Sequence, residues 1–454
     1  MRKTTLLFFS FIVSISSLFA QTVIKGKIID KENKEPLSCV TIRKGKNSTI
    51  TDKQGCFRLS VTVDTGSLFI SCIGYHSQQV RIDNTSTLYI VELEHGPVDM
   101  DDVTISSSIN NNSFHTISSI DLNLHPVNSS QDLMRFVPGL FLGQHQGGGI
   151  AEHIFFRGFD ADHGTDVNVS VDGMPLNLVS HAHGQGFADL HYLIPELVKN
   201  YDYGKGPYYN EYGDFTTAGY VSFNTYDVLN KSFIKLEGGQ YSTGRAAGAI
   251  NLLSDNAKQK GETAYIAGEI AYTDGAFDWA QHFYRANIYG KYNVNISSKT
   301  KLTVTLSDFN SNWRSSGEIP ERAVAEGLIG RFGYIDSAQG GSTSRANAIL
   351  KINSNLSDKL SLENQVYYSR YAFDLHYDPT FFAEDSVNGD QLRQKEIRDL
   401  FGYNGKLTQH TTICNNALLT SIVGIGAQLN KIYNSELSHT IGQAIILDSL
   451  QYGD

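Results

Sequence analysis

From Ser232 onward, apolar and polar positions alternate along runs longer than an ordinary strand. In "FYRANIYGKYNVNI", Tyr284, Ala286, Ile288, Gly290, Tyr292, Val294 and Ile296 share one phase; Phe283, Arg285, Asn287, Tyr289, Lys291, Asn293 and Asn295 share the other. Successive side chains of a strand point to opposite faces, so the first set forms an apolar face and the second a wet one. The split recurs in "RANAILKIN", where Ala346, Ala348, Leu350 and Ile352 oppose Arg345, Asn347, Lys351 and Asn353, and in "KLTVTLSDF" with Leu302, Val304 and Leu306. A large soluble antiparallel sheet produces the same alternation. Runs well beyond the roughly 5–6 residues of soluble strands favour strands that cross a membrane at a tilt. About ten such strands precede Asp454. An open sheet would leave unpaired edges in hydrocarbon, so the expectation is the N-terminal part of a longer barrel.

Two regions of different texture lie upstream. From Thr22 to about Leu93, short runs such as "VIKGKIID", "CFRLSV", "SLFISCIGY" and "STLYIVEL" alternate with turn residues, which predicts a small β-sandwich. From about Ser113 to Tyr226, Gly-rich segments and strands such as "VNVSVDG" accompany a helix expected at "SSQDLMRFV", with Ser130 as N-cap and Pro138-Gly139 as its end. The first residues read as a secretory signal: Arg2 and Lys3 precede an apolar run from Leu6 to Phe19, with cleavage expected after Ala20.

Composition agrees with the barrel. The chain has 24 Tyr, 24 Phe and 41 Gly against 9 Pro, and no apolar run after the signal is long enough for a helical span. A net charge of -10 without a basic stripe excludes a nucleic-acid partner. Cys39, Cys56, Cys72 and Cys414 form no C-x-x-C pair and read as small buried residues in preference to a disulfide.

Six of the 14 histidines fall between His145 and His191, including the H-x-H pair His181 and His183 in "SHAHGQGFADLH". On an extended segment, residues i and i+2 share a face, and two imidazoles together suit zinc, copper or nickel. An enzyme is not expected: the H-x-H is not followed by x-D-H, and no H-E-x-x-H, G-x-S-x-G or Walker A pattern occurs. Two readings stand. The histidines serve local architecture among Gly, Asp and Asn, or His163, His181 and His183, with His145, Asp160 and Asp162, meet an incoming metal ion or chelate.

Three quoted stretches resemble the TonB-dependent outer-membrane receptors of the type common in Bacteroidetes. "GKIIDKENKEPLSCVTIRKGKNSTITDKQGCFRLSV", with the later "CIGY", resembles their carboxypeptidase-regulatory-like domain. "DLMRFVPGL", "IFFRGFDADHGTDVNVSVDGMPLN" and "YDYGKGPYYNEYGDFTTAGYVSFNT" resemble their plug, and "GEIPERAVAEGLIGRFGYIDSAQGGSTSR" resembles an early loop and strand of their barrel. The implied fold is mainly β: signal peptide 1–20, sandwich 22–95, linker 96–112, mixed α/β plug 113–228, and the first part of an antiparallel transmembrane β-barrel 229–454.

The resemblance further implies an outer-membrane protein that binds a scarce extracellular small molecule and imports it to the periplasm. Metal ion or metal chelate (Zn, Cu, Ni or Fe) is the favoured cargo, and no cofactor is required. Energy would come from a TonB-type inner-membrane complex that grips a short extended box; its candidate is Met100, Asp101, Asp102, Val103, Thr104, Ile105 and Ser106. Glycan import with a surface lipoprotein partner, or signalling, are the alternatives. Arg157-Gly158 of "RGF" and Asp172-Gly173 of "VDG" read as structural plug turns; Tyr208, Tyr209 and Tyr212 read as packing aromatics.

Overall fold

The computed structural model describes residues 22–38, 40–44, 47–61, 66–72, 75–82, 88–94, 116–117, 127, 129–144, 149–413 and 417–451. The signal segment, the box candidate Met100–Ser106, His145, Cys39 and Cys414 lie outside the described residues. The chain divides into two compact units, one ending at Ile105 and one beginning at Ser106.

The first unit is the expected sandwich. Thr22–Asp30 pairs antiparallel with Cys56–Val61 and parallel with Tyr89–Leu93. A second sheet orders Asn47–Ile50, Thr41–Lys44, Gly66–Ser71 and Gln78–Ile82. Alternate residues of both sheets, among them Ile24, Ile28, Ile42, Phe57, Leu68 and Ile70, form its buried core. Cys56 departs from the expectation of a buried residue: it is exposed, at the end of a turn whose backbone N–H groups at Gln54 and Cys56 donate to Asp52 Oδ1. Cys72 is half-buried against the core.

In the second unit, a five-stranded sheet orders Met174–Pro175, Val167–Val171, Gly219–Thr225, Val198–Lys205 and Thr116–Ile117. A smaller sheet joins Leu140–Gly143, His153–Phe156 and Phe159–Asp160. The expected helix is a 3-10 turn over Gln131–Phe136, and Ser130 does not cap it. Ser130 is itself in helical conformation and donates its hydroxyl to the Leu190 carbonyl. Ser129 and Asp132 instead exchange backbone-to-side-chain bonds, at 3.2 and 3.4 Å, in the manner of a capping box.

These sheets pack against a wall of ten antiparallel strands running from Phe233–Gly238 to Ile445–Gln451 in sequence order. Its central strands have 15 to 25 residues, from Phe283–Ser297 to Ala417–Ile441. The wall is inverted relative to a soluble sheet. Its outward face exposes Ile270, Ile288, Leu306 and Val366, while the face toward the packed sheets buries Glu269, Arg285, Lys291, Arg345, Glu396 and Arg398. Water would select the opposite arrangement, so the outward face is matched to lipid. Among the described residues no helix is long and apolar enough to cross a membrane.

Candidate functional site

The wall's connections differ at its two ends. Strand pairs turn within a few residues at Ser297/Thr300 and Ser357/Leu360, whereas residues 274–282, 316–338 and 378–391 form long connections at the other end. Outer-membrane barrels carry long loops on the extracellular side. The histidine cluster faces this end, opposite Tyr371, Phe373, Gln394 and Glu396.

Asn177 positions the loops that carry it. Its buried amide donates to the Gly164, Val167 and Gly186 carbonyls and accepts from the Val169 N–H at 2.7 Å. The Ala188 N–H bonds the His163 carbonyl at 2.9 Å, tying the same two loops together. The H-x-H segment is therefore bent, not the extended strand expected, and its rings take different partners.

His183 Nδ1 lies 2.7 Å from Gln394 Oε1, and His183 Nε2 lies 2.9 Å from His163 Nε2. A carboxamide oxygen only accepts, so in the neutral pair His183 donates from Nδ1 to Gln394 and His163 donates from Nε2 to His183. His181 turns elsewhere. Its Nδ1 accepts the His183 N–H at 3.1 Å, its Nε2 meets Tyr371 Oη at 3.2 Å, and its ring stacks on Phe187 with centroids 4.2 Å apart. Burial first, then the neighbouring His183, Arg398 and His163, holds His181 well below the usual imidazole range.

The remaining candidates are spread around this pair. His163 is buried; Asp162 reaches it at 3.4 Å, and the two rings of His153 and His163 lie 6.0 Å apart. Asp160 pairs with His153, which holds its carboxyl below the ordinary value. His191 lies apart, clasped by Asp189 Oδ1 at 2.6 Å and by Gln131. Among the described residues no three His, Cys, Asp or Glu side chains are grouped to hold a metal ion. Glu396 and Arg398, paired and buried on the wall, receive the Ala182 N–H at 3.0 Å and donate to the Ser180 carbonyl respectively.

The turn residues take structural positions. Asp172 accepts the Thr225 N–H at 2.9 Å and the Thr225 hydroxyl at 2.6 Å, and Lys291 approaches it at 3.4 Å. The Gly173 carbonyl accepts from Asn404 and the Asp172 carbonyl from Gln365, so this turn is clamped to the wall. Arg157 and Gly158, both with positive φ, form the exposed turn between His153–Phe156 and Phe159–Asp160.

The buried, neutral His181 predicts a pH dependence. Its folded-state value lies below the unfolded one, so the unfolded chain takes up the proton first. Stability is complete above about pH 6.5 and falls on acidification by about 1.4 kcal/mol per pH unit. Denaturant unfolding at pH 7.5 and 5 should show this loss, and the His181→Phe variant should flatten it; an unchanged slope in the variant assigns the loss to other groups.

The family model for the CarboxypepD_reg-like domain matches residues 24–105, and that for the TonB-dependent receptor plug domain matches residues 106–220. The box candidate Met100–Ser106 straddles the junction of the two. The unliganded ferric citrate transporter FecA is similar at 12% identity and TM-score 0.60, over 74% of this chain and 50% of its own. The copper transporter OprC is similar at 15% identity and TM-score 0.53, over 74% and 50%. The ferripyoverdine receptor of the outer membrane of Pseudomonas aeruginosa is similar at 12% identity and TM-score 0.54, over 80% and 52%. Likeness at these identities is one of fold, and the chain spans about half the length of these structures. The chain therefore carries a CarboxypepD_reg-like domain followed by a TonB-dependent receptor plug domain, and its lipid-matched wall shares the fold of these outer-membrane transporters and receptors.

Proposed function

We propose that this chain forms the plug and first wall strands of a transporter that binds a metal ion, most naturally within a chelate, on the extracellular side of the plug and passes it to the periplasm. A TonB-type inner-membrane complex would supply the energy through Met100–Ser106. The observation that carries the metal reading is the His163–His183 pair, whose Nε2 atoms lie 2.9 Å apart. Two imidazoles on one tetrahedral zinc, with bonds of about 2.0–2.1 Å, sit about 3.3 Å apart, so a few tenths of an ångström separate this pair from a chelating one. Gln394 adds the outer support that metal-bound histidines use, since its carbonyl holds the Nδ1 proton and leaves His183 Nε2 as the lone-pair donor. Two protein donors leave coordination positions for donors that a chelating molecule brings with it. The neighbouring transporters of ferric citrate and copper make such cargo chemically reasonable for this fold.

The test is calorimetric titration of the full chain in detergent with zinc, copper and nickel. Binding at about micromolar affinity or tighter is expected, abolished by His163→Ala with His183→Ala. Gln394→Ala should weaken it about 10–100-fold. Equal affinity in the double variant and the native chain would leave the pair an architectural hydrogen bond.

A further inference from the structure

The outward face of the sandwich's first sheet holds an arrangement that folding alone does not favour. Its strands lie in the order Cys56–Val61, Thr22–Asp30, Tyr89–Leu93. Ile24, Ile28, Phe57 and Leu59 point into the core, so the alternate residues Val23, Lys25, Lys27, Cys56, Arg58 and Ser60 face outward. In the antiparallel register Lys25 stands directly opposite Arg58, and Lys27 follows two positions along, opposite Cys56. Like charges directly opposed across such a pair destabilise the sheet.

The sheet supplies no counter-charge for the three. Glu92 and Glu94, at its third strand, are taken by Lys34 at 2.8 Å and Lys31 at 2.7 Å. Among the described residues Lys25, Lys27 and Arg58 form no ion pair. Exposed aliphatic side chains border them: Val23, 47% exposed, and Ile90, 63% exposed, which pairs with Lys27 across the parallel register. The second sheet's outward face differs, because Arg43 lies over the Phe69 ring and Arg81 stands opposite Ser67, so no two cations are opposed there. Adjacent cations flanked by exposed aliphatics complement a surface that presents anionic groups over hydrocarbon, where phosphates meet the cations and the aliphatic tips enter the interface.

We propose that this face of the sandwich docks on an anionic phospholipid surface through Lys25, Lys27 and Arg58, with Val23 and Ile90 as its apolar contacts. The opposed cations, a cost to the isolated sheet, become favourable once lipid phosphates lie between them. Each cation near such a surface strengthens association about fivefold. The face lies wholly within the first unit and shares no residue with the His163–His183 pair, so it stands independently of metal binding and of transport.

The exposed Cys56, opposite Lys27, places a reporter on the face itself. The full chain, held in phosphatidylcholine nanodiscs, would carry an environment-sensitive dye on Cys56, with Cys39→Ser, Cys72→Ser and Cys414→Ser. It would be titrated with vesicles of equal parts phosphatidylcholine and phosphatidylglycerol, with phosphatidylcholine vesicles, and with soluble polyglutamate. A saturable blue shift of the dye with the phosphatidylglycerol vesicles alone is expected, lost at about 1 M salt, where screening sets in within about 3 Å. Lys25→Gln, Lys27→Gln and Arg58→Gln together should weaken it about 100-fold. That variant relieves the repulsion, so the sandwich keeps its fold. Arg43→Gln with Arg81→Gln, on the second sheet, should bind as the native chain does. No shift with phosphatidylglycerol vesicles overturns the proposal, as does undiminished binding in the triple variant; an equal blue shift with polyglutamate overturns it too, assigning the face to an acidic polypeptide.

Discussion

Arg245→Ala is expected to destabilise the plug against the wall by about 3–5 kcal/mol. Arg245 lies on the second wall strand, Gly244–Asn251, and its guanidinium grips Glu196 with two parallel bonds, Nη1 to Oε1 at 2.7 Å and Nη2 to Oε2 at 2.6 Å. Glu196 belongs to the 3-10 turn Pro195–Leu197 that opens the plug strand Val198–Lys205, so this fork joins plug to wall. Arg245 Nε bonds Glu269 at 2.7 Å, and Glu237 is held at 2.6 Å. Truncation leaves three carboxylates around an empty position, of which Glu269 retains Arg285 and Asn287. Burial alone would raise Glu196, yet Arg245 and then Lys235 hold its carboxyl at about 2, so its contribution is present above about pH 4.5 and is lost as pH falls toward 2.

Arg245→Lys should recover only part of the loss, because an ammonium cannot reproduce the fork. Denaturant unfolding of the full chain in detergent, followed by the plug strand's amide exchange, measures both variants. A change of less than about 0.5 kcal/mol in Arg245→Ala would mean that the plug is held by apolar packing alone.

The difference between what the sequence discloses and what it conceals follows the range of the contacts. The alternation in Phe283–Ile296 is legible because lipid and plug impose opposite polarity on adjacent residues, and every position reports its side. The Asp172-Gly173 turn is legible for a similar local reason, since a left-handed Asp-Gly pair needs those residue types. Ser130 misled because a serine before an apolar run is also a good hydroxyl donor to a distant carbonyl, and Leu190 is sixty positions away. The H-x-H reading failed in geometry and not in composition: Asn177 bends the segment through its own amide, and His183 meets a partner 211 positions later. Gln394, Glu396 and Arg398 could have been suspected, because three consecutive polar residues in the inward phase of a long strand require partners inside the wall. Nothing in their spacing says that those partners are Ser180, Ala182 and His183. His153, which pairs Asp160 away from the metal candidates, carried no signal that distinguished it from the other histidines.

Gly219→Ala should be the most damaging single methyl addition in the plug, at about 3 kcal/mol or more. Gly219 opens the strand Gly219–Thr225 with φ +149°, a conformation that side chains rarely adopt. A Cβ there would lie 2.1 Å from the Gly204 carbonyl oxygen and 2.7 Å from the Phe156 ring. The oxygen is backbone of the neighbouring strand, paired in register with Gly219–Thr225, so relief requires separating two strands of the central sheet. On its other side Gly219 pairs with Val167, whose carbonyl is bound by Asn177, the amide that also holds the His163 and Gly186 loops. Displacement at Gly219 therefore reaches the loops of the His163–His183 pair through Val167 and Asn177. Gly213 is the control: it also has positive φ, at +69°, but a Cβ there meets nothing within 4 Å. Its alanine variant should cost about 1 kcal/mol, the conformational penalty without the collision. Unfolding midpoints of the two variants separate these terms. Parity between them would show that the sheet yields at Gly219, and metal affinity should then be unchanged; the expected gap predicts a weakened metal response in Gly219→Ala alone.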